Sequence, residues 1–162
     1  MKIMRAALPV REDGGTGRLR PPWSLDEAAF LARCTGCGDC IDACPESLLV
    51  PWRRTPVVDF RRGECTFCGD CARACGEGVF RAPESGPPWS LRAVIGSHCL
   101  SLHGVECRLC ADQCETRALR FRPAPGGVAR IEIDPSLCTG CGACVAPCPE
   151  QAIEMRRNGG VT

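Results

Sequence analysis

Residues 34–45 read CTGCGDCIDACP, and this stretch decides how the surrounding chain must fold. Its four cysteines follow the spacing C-x2-C-x2-C-x3-C, and a proline comes directly after the last of them. Three thiols spaced two residues apart lie on one tight loop and can face a common core. The fourth thiol points away from that loop and must serve a neighbouring site. The stretch therefore predicts thiolate ligation of a compact metal core, shared with a second stretch of the same kind.

The spacing recurs along the chain. Residues 65–76 read CTFCGDCARACG, with Gly76 in place of the proline, and residues 138–149 read CTGCGACVAPCP. Residues 99–114 read CLSLHGVECRLCADQC, in which seven residues separate the first two cysteines. The four groups account for all 16 cysteines of the 162-residue chain. Because no cysteine is left over, metal ligation is favoured as their common purpose.

Bacterial ferredoxins bind [4Fe-4S] clusters with this run, and the fourth cysteine of one run completes the cluster of the other. Applied separately to the first two cysteine groups and to the last two, that rule predicts four clusters, two in each half of the chain. We call their ligand sets sites 1 to 4. Site 1 consists of Cys34, Cys37, Cys40 and Cys75; site 2 of Cys65, Cys68, Cys71 and Cys44; site 3 of Cys99, Cys107, Cys110 and Cys148; and site 4 of Cys138, Cys141, Cys144 and Cys114. The rule thus predicts that the fourth cysteine of each group completes a site in the same half of the chain and not in the other half.

Other uses of the cysteines fit the spacing less well. A structural zinc site takes two C-x2-C pairs a dozen or more residues apart, and zinc leaves the third thiol of each tight run unexplained. A disulfide framework needs cysteines far enough apart to pair across the fold. A [3Fe-4S] centre usually follows loss of a cysteine, and none is missing. His98 and His103 lie beside and within the insertion at 100–106, where imidazole ligation is the alternative to solvation. Since four cysteines are already present, we expect both histidines to be solvated.

A longer repeat divides the chain into two parts. The pentapeptide PPWSL occurs at 21–25 and again at 87–91, each time shortly before a cysteine group. Such self-similarity predicts a duplicated unit, with its boundary in the turn-rich stretch 83–88. We therefore expect an α+β protein made of two tandem, ferredoxin-like two-cluster modules, small and loop-rich. The expected limits are a mobile N-terminal segment at 1–20, modules at 21–86 and 87–155, and a C-terminal tail at 156–162.

Local patterns add expectations about secondary structure. Ser24 and Glu27 have the spacing of a capping box, for a helix that runs through Arg33. Each cysteine group should form a loop that closes in a short helix near its last two cysteines. Short apolar runs predict strands at 48–50, 57–60, 79–81, 119–122, 128–133 and 152–155.

Composition bears on location and on chemistry. Residues 1–20 lack the apolar core of a signal peptide, and no window reaches the roughly 18 apolar residues of a membrane span. We therefore expect a cytoplasmic protein, in which thiols stay reduced. The sequence contains no nucleophile–base pair, phosphate loop or dinucleotide motif, so we expect one-electron transfer or redox sensing and no enzymatic activity. Each cluster with its four thiolates adds a charge of about −2, and four of them would take the chain from +1 to about −7.

Several stretches together resemble the NapF family of ferredoxin-type proteins. They are RPPWSLDEAAFLARCTGCGDC at 20–40, ECTFCGDCARAC at 64–75, CLSLHGVECRLCADQCETRALRFRP at 99–123 and LCTGCGACVAPCP at 137–149. The resemblance implies a cytoplasmic, four-cluster accessory protein of periplasmic nitrate reductase systems. Such a protein contacts the precursor of the molybdenum-containing catalytic subunit before export. Its implied role is maturation of that subunit, by supplying electrons or by aiding assembly of the subunit's own iron–sulfur cluster.

Two further functions are alternatives to maturation. One is a dedicated electron-transfer subunit of an oxidoreductase complex, and the other is a redox or iron sensor, for which the sequence has no DNA-binding basic stripe. For contact with a partner protein, the arginine-rich stretch 18–20 and Trp23 are the candidates. Trp23 and Trp89 either anchor a partner, for which Trp23 must be exposed, or seal equivalent edges of the two halves, which their repeat positions favour.

Overall fold

The computed structural model describes residues 18–124, 127 and 129–157. Within them lie short helices and strands joined by loops. The helices are α1 (Glu27–Arg33), α2 (Asp39–Asp42), α3 (Asp70–Arg73) and α4 (Leu109–Asp112), and the strands are β1 (Leu49–Trp52), β2 (Thr55–Val58), β3 (Leu91–Ile95), β4 (Leu119–Arg122), β5 (Arg130–Ile133) and β6 (Ile153–Arg157). Short helices and antiparallel strand pairs of this kind are consistent with the ferredoxin-like α+β fold that the sequence predicts.

The first half, residues 18–86, contains one hairpin between its two cysteine groups. Strands β1 and β2 pair antiparallel from Leu49 opposite Val58 to Trp52 opposite Thr55. Both connecting residues have positive φ, 42° at Arg53 and 71° at Arg54, as the tightest hairpin turns require. The two ends of this half meet in a single antiparallel bridge between Ser24 and Phe80.

The second half, residues 87–157, has the same plan with longer pairings. Strands β4 and β5 pair antiparallel between the two cysteine groups, from Leu119 opposite Ile133 onward. The ends of this half are joined by the β3–β6 pair, which runs from Leu91 opposite Arg157 to Ile95 opposite Ile153. In both halves, therefore, the hairpin lies between the cysteine groups and the flanking segments come together.

Two apolar cores lie among the described residues. The larger takes most of its members from the second half and also includes Leu48 and Phe60 of the first half. The smaller consists of Cys40, Leu49 and Cys71, with neighbours such as Phe80 packed against it. The hydrophobic packing is thus continuous across the two halves but unequal between them.

Helix α1 begins differently from the prediction. Its N-cap is Asp26, whose carboxylate accepts the Ala29 N–H at 2.9 Å. The Ser24 hydroxyl instead donates to the Pro21 carbonyl at 2.8 Å, so the predicted capping box is wrong. The helix buries Phe30 completely, edge-on to Phe80 with ring centroids 6.0 Å apart. This contact fixes the helix against the end of the first half.

The predicted strands occur near their predicted positions, but most of them differ from prediction in their first and last residues. The prediction at 119–122 coincides with β4, whereas those at 48–50 and 57–60 are displaced toward the turn in β1 and β2. The displacement brings Pro51 opposite Pro56, a pairing that sequence reasoning avoids because neither residue can donate to a ladder. The prediction at 79–81 is reduced to the bridge at Phe80.

The later strands differ from prediction at their ends. The run predicted at 128–133 forms β5 from Arg130, and its first residue, Val128, lies outside the described residues. The run predicted at 152–155 begins one residue late and continues through Arg157 in β6. Strand β3 was not predicted.

The predicted terminal segments are described only in part. Of the mobile segment expected at 1–20, residues 1–17 lie outside the described residues, as do residues 158–162 of the expected tail. Arg20 is 6% exposed and Leu19 accepts the Val58 N–H at 2.9 Å, so this part of the segment packs on the fold. Arg156 and Arg157 belong to β6.

The stretch predicted as a linker packs against Trp23. The Trp23 N–H donates to the Pro88 carbonyl at 2.6 Å, and its indole N–H donates to the Gly86 carbonyl at 3.1 Å. Trp23 is consequently only 4% exposed. The prediction that Trp23 is exposed for a partner is therefore wrong, whereas its burial agrees with the alternative that it seals an edge of its half. Arg20, another candidate for partner contact, is buried as well.

No helix among residues 18–124, 127 and 129–157 combines the length and the apolar character needed to cross a membrane.

Candidate metal centres

Each cysteine group folds as a loop that buries its third cysteine. Those cysteines are Cys40, Cys71, Cys110 and Cys144, exposed by 6 to 8%. The first three lie in the single helical turns α2, α3 and α4. The fourth group closes in turns instead, so the prediction of a short helix is wrong there.

The ligands predicted for site 1 surround one cavity. Cys34, Cys37, Cys40 and Cys75 line a space of about 360 Å³, including its open mouth. The first three come from one loop, and Cys75 is brought by the second cysteine group. Phe30 supplies part of the apolar wall. Helix α1 and the two loops thereby place four thiols around a common space.

Sites 2 and 4 have the same form. The site 2 cysteines, Cys44, Cys65, Cys68 and Cys71, line a cavity of about 350 Å³. The site 4 cysteines, Cys114, Cys138, Cys141 and Cys144, line one of about 340 Å³. In each case three thiols come from one group and the fourth comes from the other group of the same half. The three spaces, each measured with its open mouth, share a ring of four thiols, which suits the same kind of core.

Site 3 is built around the insertion at 100–106. Burial raises the pKa of the Cys110 thiol to about 11, and the charges of the neighbouring Cys148, Cys99 and Cys107 add to the rise. The insertion is anchored by Ser101, which is 1% exposed; its hydroxyl accepts the Ile131 N–H at 3.1 Å and donates to the Ala129 carbonyl at 3.2 Å. The seven-residue spacing thus attaches the site 3 loop to β5.

Neither histidine near site 3 is buried. His98 and His103 are both exposed, and a ring nitrogen of His103 lies 2.8 Å from the Ser97 carbonyl oxygen. Both imidazoles are thus exposed to solvent, as the sequence predicts.

The buried thiols resist ionisation. Burial, followed by the charge of neighbouring cysteines, raises the pKa of Cys40, Cys71 and Cys144 to about 12. The pKa of Cys65 is also raised to about 12, mainly by burial, although the Phe67 N–H opposes the rise. These thiols hold their protons at neutral pH, so binding of metal must release them.

The donor sets fit iron–sulfur clusters better than single ions. All 16 cysteines are free thiols. Among the described residues, no three histidine, cysteine, aspartate or glutamate side chains converge as ligands of one ion would. A zinc ion draws four ligands to a single point at about 2.3 Å, whereas the cysteines here surround a cavity. Four thiolates around an open volume match a core that contains several irons.

Comparison with known proteins agrees with this chemistry. The family described as 4Fe-4S dicluster domain matches residues 33–79 and 105–155, more than half of the chain. The ferredoxin-type protein NapF of Haemophilus influenzae is 49% identical over 138 residues, covering 85% of this chain and 78% of the relative. NapF of Escherichia coli K12 is 43% identical over 150 residues, covering 92% and 91%. This chain belongs to the NapF family of ferredoxin-type proteins.

The resemblance seen in the sequence is thereby confirmed. A NapF-family chain with two dicluster segments is an iron–sulfur, ferredoxin-type protein, and its chemistry is electron transfer. The similarity extends to other ferredoxin-type proteins. The methylamine utilization ferredoxin-type protein MauM of Methylophilus methylotrophus is 33% identical over 184 residues, covering 93% of this chain and 76% of the relative.

One repeated feature of this NapF-family chain was missed by sequence reasoning. The residue three positions after the last cysteine of each group has positive φ: Ser47 51°, Gly78 63°, Arg117 52° and Gln151 51°. The residue after each of these is at most 1% exposed: Leu48, Val79, Ala118 and Ala152. A left-handed turn thus directs the chain from every cysteine group into the interior. Only glycine favours this conformation, so Gly78 was the one available signal.

Proposed function

We propose that this NapF-family chain binds four [4Fe-4S] clusters at sites 1 to 4, in tandem two-cluster modules at 21–86 and 87–155. The donor sets support the number, since 16 free thiols form four groups of four. The strand pairings support the modules, because β1 pairs with β2, β3 with β6 and β4 with β5, all within one half. When bound, such a cluster accepts or releases one electron. The chain positions the thiolates, excludes water from the buried ones and releases their protons on loading.

Metal analysis tests this proposal directly. Protein purified without oxygen from iron-replete cells should contain about sixteen irons and about sixteen sulfides per chain, as four cubane clusters require. Zinc as the main metal in such protein would contradict the proposal.

We further propose that the chain is a cytoplasmic accessory protein of a periplasmic nitrate reductase. Its partner would be the precursor of the molybdenum-containing catalytic subunit. The chain would act by supplying electrons or by aiding assembly of that subunit's cluster, and would not itself be an enzyme. The observation that carries this proposal is similarity to NapF proteins over most of the chain, at 43% and 49% identity.

The charge of the loaded protein indicates what partner surface to expect. Four clusters change the formal charge from +1 to about −7. A basic surface on the partner would complement that charge and speed association. The interaction should weaken as salt rises, because charges separated by more than about 8 to 10 Å are screened at physiological ionic strength.

Capture of the precursor from cytoplasm is the direct test of the partner. Tagged protein should retain the unexported catalytic subunit, and retention should fall with added salt. Deletion of the gene should lower the activity of the exported reductase without stopping synthesis of its subunit. The variant with Cys34→Ser and Cys37→Ser, which lacks site 1, shows whether capture of the precursor depends on the clusters. If the protein co-purifies only with a mature quinol or hydrogenase complex, maturation is wrong and the electron-transfer subunit is the better assignment.

A further inference from the structure

We infer that the two halves exchange electrons through sites 2 and 4, so that the four sites form one line in the order 1, 2, 4, 3. This inference rests on the proposed occupation of all four sites by clusters. The sharing of fourth cysteines between the two groups of one half does not determine which site of that half faces the other half. That order follows from contacts between the two halves.

Within each half, the two sites share a core. Cys40 of site 1 and Cys71 of site 2 are buried together against Leu49. Cys110 of site 3 and Cys144 of site 4 are buried in the larger core. Sites 1 and 2 are therefore neighbours, and so are sites 3 and 4.

Between the halves, sites 2 and 4 are joined by a backbone hydrogen bond. The Cys65 N–H, in the loop of site 2, donates to the Cys141 carbonyl, in the loop of site 4, over 2.8 Å. These two residues are ligands of different sites and lie in different halves. The peptide groups of the two loops are therefore in direct contact.

Aromatic side chains pack around this contact. Phe60 and Phe67 of the first half lie edge-on to Trp89 of the second half, with ring centroids 5.8 and 5.9 Å from it. Trp89 also lies against the site 4 loop, since a Cβ built at Gly140 would be 2.8 Å from its Nε1 atom. Phe67 has φ 57° at a loop position where site 1 has Gly36. Such a backbone is uncommon for a bulky residue, and here it brings the ring to Trp89.

Gly142 shows how closely the site 4 loop approaches the first half. It has φ 83°, and a Cβ at this position would overlap the Phe60 ring. Gly38 occupies the equivalent position in site 1, with φ 96°, and a Cβ there would meet nothing within 4 Å. The two glycines share the left-handed backbone and differ in what lies beside them. We call the contact of Cys65, Phe60 and Trp89 with the site 4 loop, together with the packing of Phe67 on Trp89, the junction.

Transfer across the junction needs no proton and no bond exchange. A single electron would leave a reduced centre at site 2 and reduce an oxidised centre at site 4, or move in the opposite direction. The first electron must come from an external one-electron reductant, for which dithionite serves in the test.

The matched pair Gly142→Ala and Gly38→Ala tests the junction in the loaded protein. Both substitutions place an alanine on left-handed backbone, but only Gly142→Ala clashes with Phe60. Hydrogen exchange of the peptide that contains the Cys65 amide should become faster in Gly142→Ala and stay unchanged in Gly38→Ala. Adding Phe60→Ala, which removes the overlapping Cγ and ring atoms, to Gly142→Ala should bring the exchange back toward the slow rate of the parent protein. Equal exchange in both single variants would overturn the junction.

Electron paramagnetic resonance of dithionite-reduced protein tests the order of the sites. Reduced clusters in the second half should speed the spin relaxation of reduced clusters in the first half. Removing site 4 by Cys138→Ser with Cys144→Ser should abolish this effect. Removing site 3 by Cys107→Ser with Cys110→Ser should leave that enhancement in place. If loss of site 3 abolishes it and loss of site 4 does not, the order is wrong. An iron content near sixteen with no enhancement in the parent protein overturns the order alone, whereas an iron content far below sixteen overturns the four-cluster proposal as well.

Discussion

Five residue pairs between β3 and β6 join the ends of the second half, whereas the ends of the first half meet in the single bridge between Ser24 and Phe80. The cores differ in the same sense. The larger core belongs mainly to the second half, whereas buried side chains of the first half such as Phe30, Val57 and Val79 do not join into one cluster of that size. Since the two halves have the same plan, we expect the first to depend more on occupation of sites 1 and 2 and the second more on its strand pairing and packing.

A buried arginine partly compensates in the first half. Arg20 donates to both carboxylate oxygens of Glu27, at 2.9 and 2.6 Å, and also to the Thr55 hydroxyl and the Pro56 carbonyl, at 2.8 and 2.9 Å. Its guanidinium lies 4.7 Å from the centre of the Phe30 ring. One side chain thus connects the N-terminal segment, helix α1 and the hairpin.

The largest difference between the halves should appear when the clusters are removed. Metal can supply folding free energy on the order of 10 kcal/mol in small sites. After chelation of iron, the amides of residues 18–81 should exchange as in an unfolded chain, while those of β3 and β6 keep measurable protection. Hydrogen exchange with mass spectrometry checks this. Equal loss of protection in both halves would show that the β3–β6 pairing adds no independent stability.

Loss of a single ligand should stay within one half. Cys75→Ser removes a ligand of site 1, so we expect loss of up to about four of sixteen irons, with Cys65, Cys68 and Cys71 keeping theirs. Cys148→Ser is the matched variant in the second half and should impair site 3 only. Iron analysis with electron paramagnetic resonance distinguishes the sites. Damage to site 1 by Cys148→Ser would mean that ligands are exchanged between the halves.

The Arg20–Glu27 pair should stabilise the first half more than an exposed pair stabilises the second. Because the Arg20 side chain is 5% exposed and that of Glu27 is 48% exposed, Glu27→Gln should lower the free energy of local opening by about 1 to 1.5 kcal/mol. Glu132 pairs with Arg122 at 2.5 Å, and these side chains are 56% and 67% exposed, so Glu132→Gln should cost less than about 1 kcal/mol. Native-state hydrogen exchange measures both values. A similar cost for the two variants would remove the distinction.

The pair also predicts a pH dependence. The hydrogen bond from Arg20 lowers the pKa of Glu27 below its ordinary value of 4.5. Its stabilisation is therefore fully present above about pH 4.5 and is lost as the pH falls through the lower pKa of the folded state. In Glu27→Gln, the free energy of local opening of the first half, measured by native-state hydrogen exchange, should therefore depend less on pH in this acidic range.

The smallest effects concern the left-handed residues after the cysteine groups. Ser47 and Gln151 are exposed, with φ of 51° in each. Ser47→Gly and Gln151→Gly should each stabilise by about 0.5 to 1 kcal/mol, because glycine tolerates this backbone. Iron loss in mild denaturant should slow more for Ser47→Gly, since the first half depends more on its clusters. Gly78→Ala, at the equivalent position, is the control and should speed iron loss.

Sequence spacing could predict which thiols come together because the loops are local and each ligand has a fixed position in its run. It did not predict β3, because the short apolar run at 93–95 has no partner nearby in the sequence and its partner, β6, begins some 60 residues later. Nor could it choose between Ser24 and Asp26 as helix cap, since both are good caps. The choice depends on the Pro21 carbonyl, which takes the Ser24 hydroxyl.

The junction was also beyond sequence reasoning. The one visible sign was a phenylalanine, Phe67, where a glycine stands in two other groups. The pairing of Cys65 with Cys141 joins residues whose runs are otherwise alike. Similarly, the burial of Trp23 depends on how residues 86–88 fold over it, which local composition does not determine.

The contact between Phe60 and Gly142 has a consequence for how relatives of this chain diverge. There is no room for even a methyl group between the two positions. A relative that acquires a side chain at the Gly142 position should therefore carry a smaller residue at the Phe60 position, and the two positions should vary together. The Gly38 position, which faces open space, should show no such correlated change with any residue of the other half.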